Sequence, residues 1–258
     1  SDDISYTIRL RDQVAFMDLN MDIDISSACY RSFIHDRYHE PRTNDCDAIH
    51  TKPLLHDDIV SQFPFWWVMH VPTLFFRSDI AKRTGYRFHS EYRLIGDYFA
   101  NLKMYKTVRF ANLPQALSAY RIHFLNDGYV HKKGLLEEES KLVRYSLDLI
   151  GAPTNDRSVS LHRSIKLLPG RTIHLESLGE FMELFRWLQL LKIYNKRSLA
   201  FPLQSFNRTI DYLIAMSCMS ASSMFAGKLS EHDAYNLKSL IEEGDFRAGT
   251  NLSKLNVQ

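Results

Sequence analysis

Glycine is scarce in this chain of 258 residues: there are 10, and none precedes Gly85. An average protein carries about 7%. A stretch of 84 residues without glycine holds neither a GxGxxG turn nor a phosphate loop, because both need glycine for close backbone approach. Nucleotide binding of the Rossmann or P-loop kind is excluded there. An excess of either charge is also lacking. Lys and Arg number 32 against 30 acids, a net charge of +2, so no broad field points to nucleic acid. The three cysteines, Cys29, Cys46 and Cys218, form no CxxC pair and no disulfide framework, which fits a reducing compartment. No run approaches the roughly 18–20 apolar residues of a membrane span, and the first residues do not read as a signal peptide.

What is present is apolar and aromatic: 45% and 12% of the residues, enough for one large domain or two small ones. Ile8, Leu10, Val14, Met17 and Leu19 recur at helical spacing. Met21 to Tyr30 alternates and predicts a strand, with Met21, Ile23 and Ile25 on one face. A polar stretch from His35 to Lys52 reads as a loop. The run Phe63 to Phe76 is nearly continuous apolar and predicts a buried strand broken at Pro72. Arg77 to Thr84 reads as a short helix closed by Gly85, and Asp97 to Tyr105 as a second helix. Two short strands, Thr107–Asn112 and Ala119–His123, are expected around a Leu113-Pro114 turn. Leu135 to Ile150 predicts an amphipathic helix, and further helical patterns follow at about 175–194, 204–225 and 231–243. The expected division is therefore a mixed α/β domain over 1–150 and a helical region over 151–258.

Several residues can carry chemistry. Asp2 and Asp3 are adjacent oxygen donors suited to Mg²⁺ or Mn²⁺, or else Asp3 or Ser5 caps the helix that follows. Asp97 opens a helix, where it serves either as a cap or as a general base. Arg121 and His123 are two apart and share a face of a strand; they suit a phosphate and a metal, or a simple hydrogen bond. Lys132 and Lys133 sit in a basic, mobile-looking loop. Trp66, Trp67 and His70 either fill the core or line a groove where aromatic faces stack on sugar. His35 and His39 echo a zinc-protease HExxH with Asp36 in place of Glu, but Pro41 and a preceding strand do not suit the helix that motif needs.

The order of these motifs is more specific than any one of them. Ser1-Asp2-Asp3-Ile4 is followed by Arg9-Leu10, Gln13, Phe16-Met17 and Asn20. Then come His70-Val71-Pro72-Thr73-Leu74-Phe75-Phe76-Arg77, Gly85-Tyr86, Gly96-Asp97-Tyr98, and Leu117 with Tyr120-Arg121-Ile122-His123. Over residues 1 to 150 this resembles a family 2 glycosyltransferase of the GT-A fold, of the bacterial polysaccharide-biosynthesis type. Two positions depart from the family pattern: Gly96 stands where a Glu is usual, and Phe99 where a second acid often follows.

The resemblance implies an α/β fold, the acceptor-side half of a GT-A domain followed by a helical extension. It implies an inverting, metal-dependent transfer of a sugar from a nucleotide-diphosphate donor to a glycan or lipid-linked acceptor. Asp97 would be the base. Asp2, Asp3 and His123 would hold Mn²⁺ or Mg²⁺, and Arg121, Lys132 and Lys133 would contact the donor diphosphate. Trp67 and His70 would face the acceptor. It further implies a cytoplasmic setting, with peripheral association at the inner face of the membrane, and a donor-binding half missing from the N-terminal side. The alternative expectation is a non-catalytic glycan-binding or scaffold module on the same fold.

Overall fold

The computed structural model describes residues 3–34, 49–123, 130–165 and 177–225. Asp2, Cys46, the His35/His39 pair and the pattern at 231–243 lie outside the described residues. Two compact units divide the chain, Ser1–Ser146 and Leu147–Gln258.

The first unit is built on a five-stranded mixed sheet in the order β1-β5-β2-β3, with β4 also on β2. The strands are β1 (Ile4–Ser5), β2 (Ile25–Ile34), β3 (Ile49–His50), β4 (Phe75–Phe76) and β5 (Phe110–Ile122). Among the described residues four helices are interspersed: α1 (Arg9–Leu19), α2 (His56–Gln62), α3 (Ile80–Thr84) and α4 (Gly96–Met104). The helix α5 (Lys132–Ile150) contains the division between the units.

β2 and β5 run parallel and form the spine of the sheet. Ile25, Ser26, Ser27, Ala28 and Cys29 are all buried, so β2 is covered on both faces over this stretch and needs no alternation. It starts at Ile25 and not at Met21, which is exposed. β5 is one strand where two were expected. The register steps from Ala28↔Leu113 to Cys29↔Ala116, so Pro114 and Gln115 form an exposed bulge that tolerates the missing proline N–H.

The run Phe63 to Phe76 is not a strand. It turns after α2, forms a 3-10 turn at Val71–Thr73, and reaches the sheet only as β4. Side chains satisfy its buried backbone, as they must where no ladder is available. The His70 N–H donates to Ser27 Oγ at 2.7 Å, and Gln13 Nε2 donates to the Thr73 carbonyl at 2.7 Å. That last bond also explains an inversion in α1. The helix buries Gln13 and Met17, while Ile8, Leu10, Val14 and Leu19 are exposed.

Arg77 is a structural residue. Its guanidinium donates to the carbonyls of Met17, Ile23 and Asn20 at 2.8, 2.8 and 3.1 Å, closing the C-terminal end of α1. Gly85 ends α3 at φ +72°, the left-handed position where a side chain would be strained.

The second unit is helical: α6 (Asp156–Ser164), α7 (Leu178–Ser198) and α8 (Leu203–Phe225). The sequence pattern had not indicated α6. Asn155 caps it by accepting from the Ser158 N–H at 2.9 Å. Ser177 caps α7 by accepting from the Glu180 N–H at 3.2 Å. The α7–α8 corner is fixed by Asn195, whose amide accepts from the Phe201 N–H and donates to its carbonyl, at 2.9 and 3.1 Å. Phe181, Phe185, Leu188, Phe206, Ile210 and Leu213 form its buried centre. Among the described residues no helix is long and apolar enough to cross a membrane.

Candidate functional site

Asp97 lies in the first turn of α4, though not as its cap. The cap position is Ile95, with no side-chain bond. Asp97 Oδ2 is buried and accepts no hydrogen bond among the described residues. Burial raises the carboxyl to about 7, against the opposing pull of the backbone N–H groups of Tyr98 and Asp97. A carboxylate that exchanges its proton near neutrality suits a general base.

The approach to this helix is held by Glu138 on α5. Glu138 Oε1 accepts from the Arg93 N–H at 3.0 Å, and Oε2 from Leu94 and Ile95 at 2.9 and 3.1 Å. Three backbone donors thus share one carboxylate beside a cavity of about 330 Å³ that Arg93, His131 and Lys133 also line. Glu138→Gln sets an amide NH₂ against these donors. It is expected to lower stability by about 1–3 kcal/mol and to speed amide exchange at Arg93, Leu94 and Ile95. Unchanged exchange at those three amides would refute this role.

A second group gathers where the parallel strands end, the usual edge for ligands in open α/β sheets. β1 pairs antiparallel with β5, Ile4 facing Ala119 and Ser5 facing Ser118. Asp3 Oδ1 therefore reaches the Arg121 N–H at 3.0 Å. Neither Asp3 nor Ser5 caps α1; the cap position is Ile8 and is unassisted. The Arg121 guanidinium lies 5.2 Å over the Phe33 ring, and His123 follows directly after β5. Asp3, Arg121 and His123 are thus brought to one end of the sheet. Among the described residues no three His, Cys, Asp or Glu side chains are grouped to hold a metal.

Lys132 and Lys133 are not in a loop. They form the first turn of α5, and Lys133 faces the Arg93–Glu138 cavity.

The two acceptor candidates part company. Trp67 is half-buried. Its indole N–H donates to the Met69 carbonyl, and its ring meets Tyr98 edge-on at 4.9 Å, beside the base candidate. His70 is only 7% exposed; it bonds Ser118 Oγ through Nε2 at 3.0 Å and stacks on Tyr30 at 3.9 Å. Burial, then the charges of Lys52 and His50, lowers it to about 3. His70 is a neutral core histidine and does not wall a groove.

The chain matches no family model, no curated protein and no solved structure.

Two residues of the site escaped the sequence reading: Glu138, described above, and Lys52. The Lys52 ammonium donates to the Trp67 carbonyl at 3.1 Å and lies 5.4 Å over the Tyr30 ring. Neither has a local signal. Glu138 is one acid within Glu137-Glu138-Glu139, and Lys52 closes a polar stretch; only the fold gives them partners.

Proposed function

We infer that the first unit is the acceptor-side part of a GT-A-type glycosyltransferase and that the protein transfers a sugar with inversion from a nucleotide-diphosphate donor to a glycan or lipid-linked hydroxyl. One observation carries this reading: the buried, unpartnered Asp97 Oδ2 at the start of α4, with its proton affinity near 7. The order of sequence motifs supports it. So does the meeting of Asp3 and Arg121 where β2 and β5 end.

The acceptor hydroxyl gives its proton to the Asp97 carboxylate while its oxygen attacks the anomeric carbon. The bond from that carbon to the donor's phosphate oxygen breaks, and the electron pair leaves on the diphosphate. One displacement suffices, so no enzyme nucleophile is used. Asp2, Asp3 and His123 would hold Mn²⁺ or Mg²⁺, which supplies Lewis-acid neutralisation of the leaving diphosphate. Two carboxylates and an imidazole suit Mn²⁺ somewhat better than Mg²⁺. The Arg121 guanidinium adds charge on the same side.

The test is made on the protein expressed from its own gene. Release of nucleoside diphosphate is measured over a panel of UDP-, GDP- and dTDP-sugars with Mn²⁺, with and without EDTA. Turnover of at least one donor that EDTA abolishes is the expected result. No turnover and no Mn²⁺-dependent binding of any donor would sink the reading.

A further inference from the structure

Among the described residues Lys52 is a charge without a carboxylate counter-ion. An ammonium has three donors, and one is used, on the Trp67 carbonyl. Among the described residues no carboxylate pairs with it. Lys52 is half-buried, and charged groups drawn partly out of water gain from a partner; burial has pulled it down only to about 8, so it is still a cation at pH 7. Among the described residues its ionisable neighbours are the Cys29 thiol, which opposes the effect of burial, and imidazole and phenol rings, with no carboxylate among them. Tyr30 stacks on His50 at 4.5 Å and on His70 at 3.9 Å. His50 Nε2 is bonded to Ser32 Oγ at 2.7 Å, and burial lowers its proton affinity, as it does for His70.

The position connects this cation to the base. Trp67 accepts from Lys52 through its carbonyl and lays its indole against Tyr98, the residue after Asp97. We propose that Lys52 is the anion receptor of an acceptor subsite, on which a carboxylate or phosphate carried by the acceptor sugar docks. The proposal rests on the glycosyltransferase reading and narrows its acceptor to an acidic glycan, uronate-bearing or phosphorylated. The incoming oxyanion supplies a charge that the described residues do not, and takes up the ammonium's two remaining donors. Charge-assisted bonds of this kind are roughly twice as strong as neutral ones.

The experiment titrates the full chain with D-glucuronate and glucose 6-phosphate, using glucose as the neutral control. It compares wild type with Lys52→Gln, Lys52→Arg and the exposed control Lys103→Gln, each with and without saturating UDP and Mn²⁺. Both acids are expected to bind and glucose not. Lys52→Gln weakens them about tenfold or more, whereas Lys52→Arg and Lys103→Gln remain within about threefold. Lys52→Met, which keeps the apolar stem, replaces the Gln variant if that one does not fold. Equal binding by wild type and Lys52→Gln, or no binding by wild type, overturns the proposal. Displacement of the acids by UDP and Mn²⁺ also overturns it, since Lys52 would then serve the donor phosphates. If UDP with Mn²⁺ does not bind to the protein expressed from its own gene, the transferase reading fails, while the dependence on Lys52 still decides the anion site.

Discussion

Replacing Asp97 by Asn is expected to stop sugar transfer and, at pH 8, to make the protein harder to unfold. Loss of a positioned base costs about 10²–10⁴ in rate. The stability effect follows from the raised proton affinity. The folded carboxyl titrates at about 7 and the ordinary value is 3.8, so the folded state holds this proton more tightly than the unfolded chain. Its contribution to stability is complete below about pH 4 and is lost as the pH rises to about 7. Above that, the folded protein contains a buried carboxylate with one oxygen unpartnered. Asn removes the charge, and the gain is on the order of 1–3 kcal/mol at pH 8, vanishing near pH 4. Wild-type transfer should rise with pH through about 7 and then level off. Urea unfolding at both pH values and a pH–rate profile check the two halves separately. Transfer that survives in Asp97→Asn would remove Asp97 from the mechanism.

Phe110→Ala is expected to produce the largest loss of stability in the first unit. Phe110 is fully buried in β5. The Phe63 ring stands edge-on to it at 5.4 Å, and His56 lies parallel at 5.9 Å. His56 Nδ1 also accepts from the Phe110 N–H at 3.1 Å, so a ring that drifts into the vacated space strains a backbone bond too. Truncation of a buried phenylalanine costs about 3–5 kcal/mol. Phe88→Ala is the control, since Phe88 is 56% exposed and should change stability by well under about 1 kcal/mol. Urea midpoints of the two variants that did not differ would contradict this account of the core.

What could be read from sequence was local. Gly85 announced the end of α3, and Gly96-Asp97 the start of α4. The long helices α5, α7 and α8 followed from their period. The failures share a cause in distance along the chain. The apolar run Phe63 to Phe76 has no period of its own, and its shape is dictated by Ser27 and Gln13, which reach it from 43 and 60 residues away. Asp3 looked like a cap for its own helix, yet it holds an amide 118 residues on. The type of the candidate base was legible from its neighbours; its burial was not, because that depends on packing around α4. Lys52 and Glu138 were invisible as partners for the same reason.

The two irregularities of β5 have consequences for shortening or lengthening the chain. β5 spends 13 residues against the 10 of β2, with a shift of two at Pro114-Gln115 and a shift of one between Ala116 and Ala119. A change of two leaves the up-and-down alternation in phase, while a change of one reverses it for everything downstream. Removing Pro114 and Gln115 together would therefore leave each later side chain on its present face. Removing a single residue from the regular pairs beyond Ala119, where no bulge can absorb the loss, would reverse the face of every later side chain in β5.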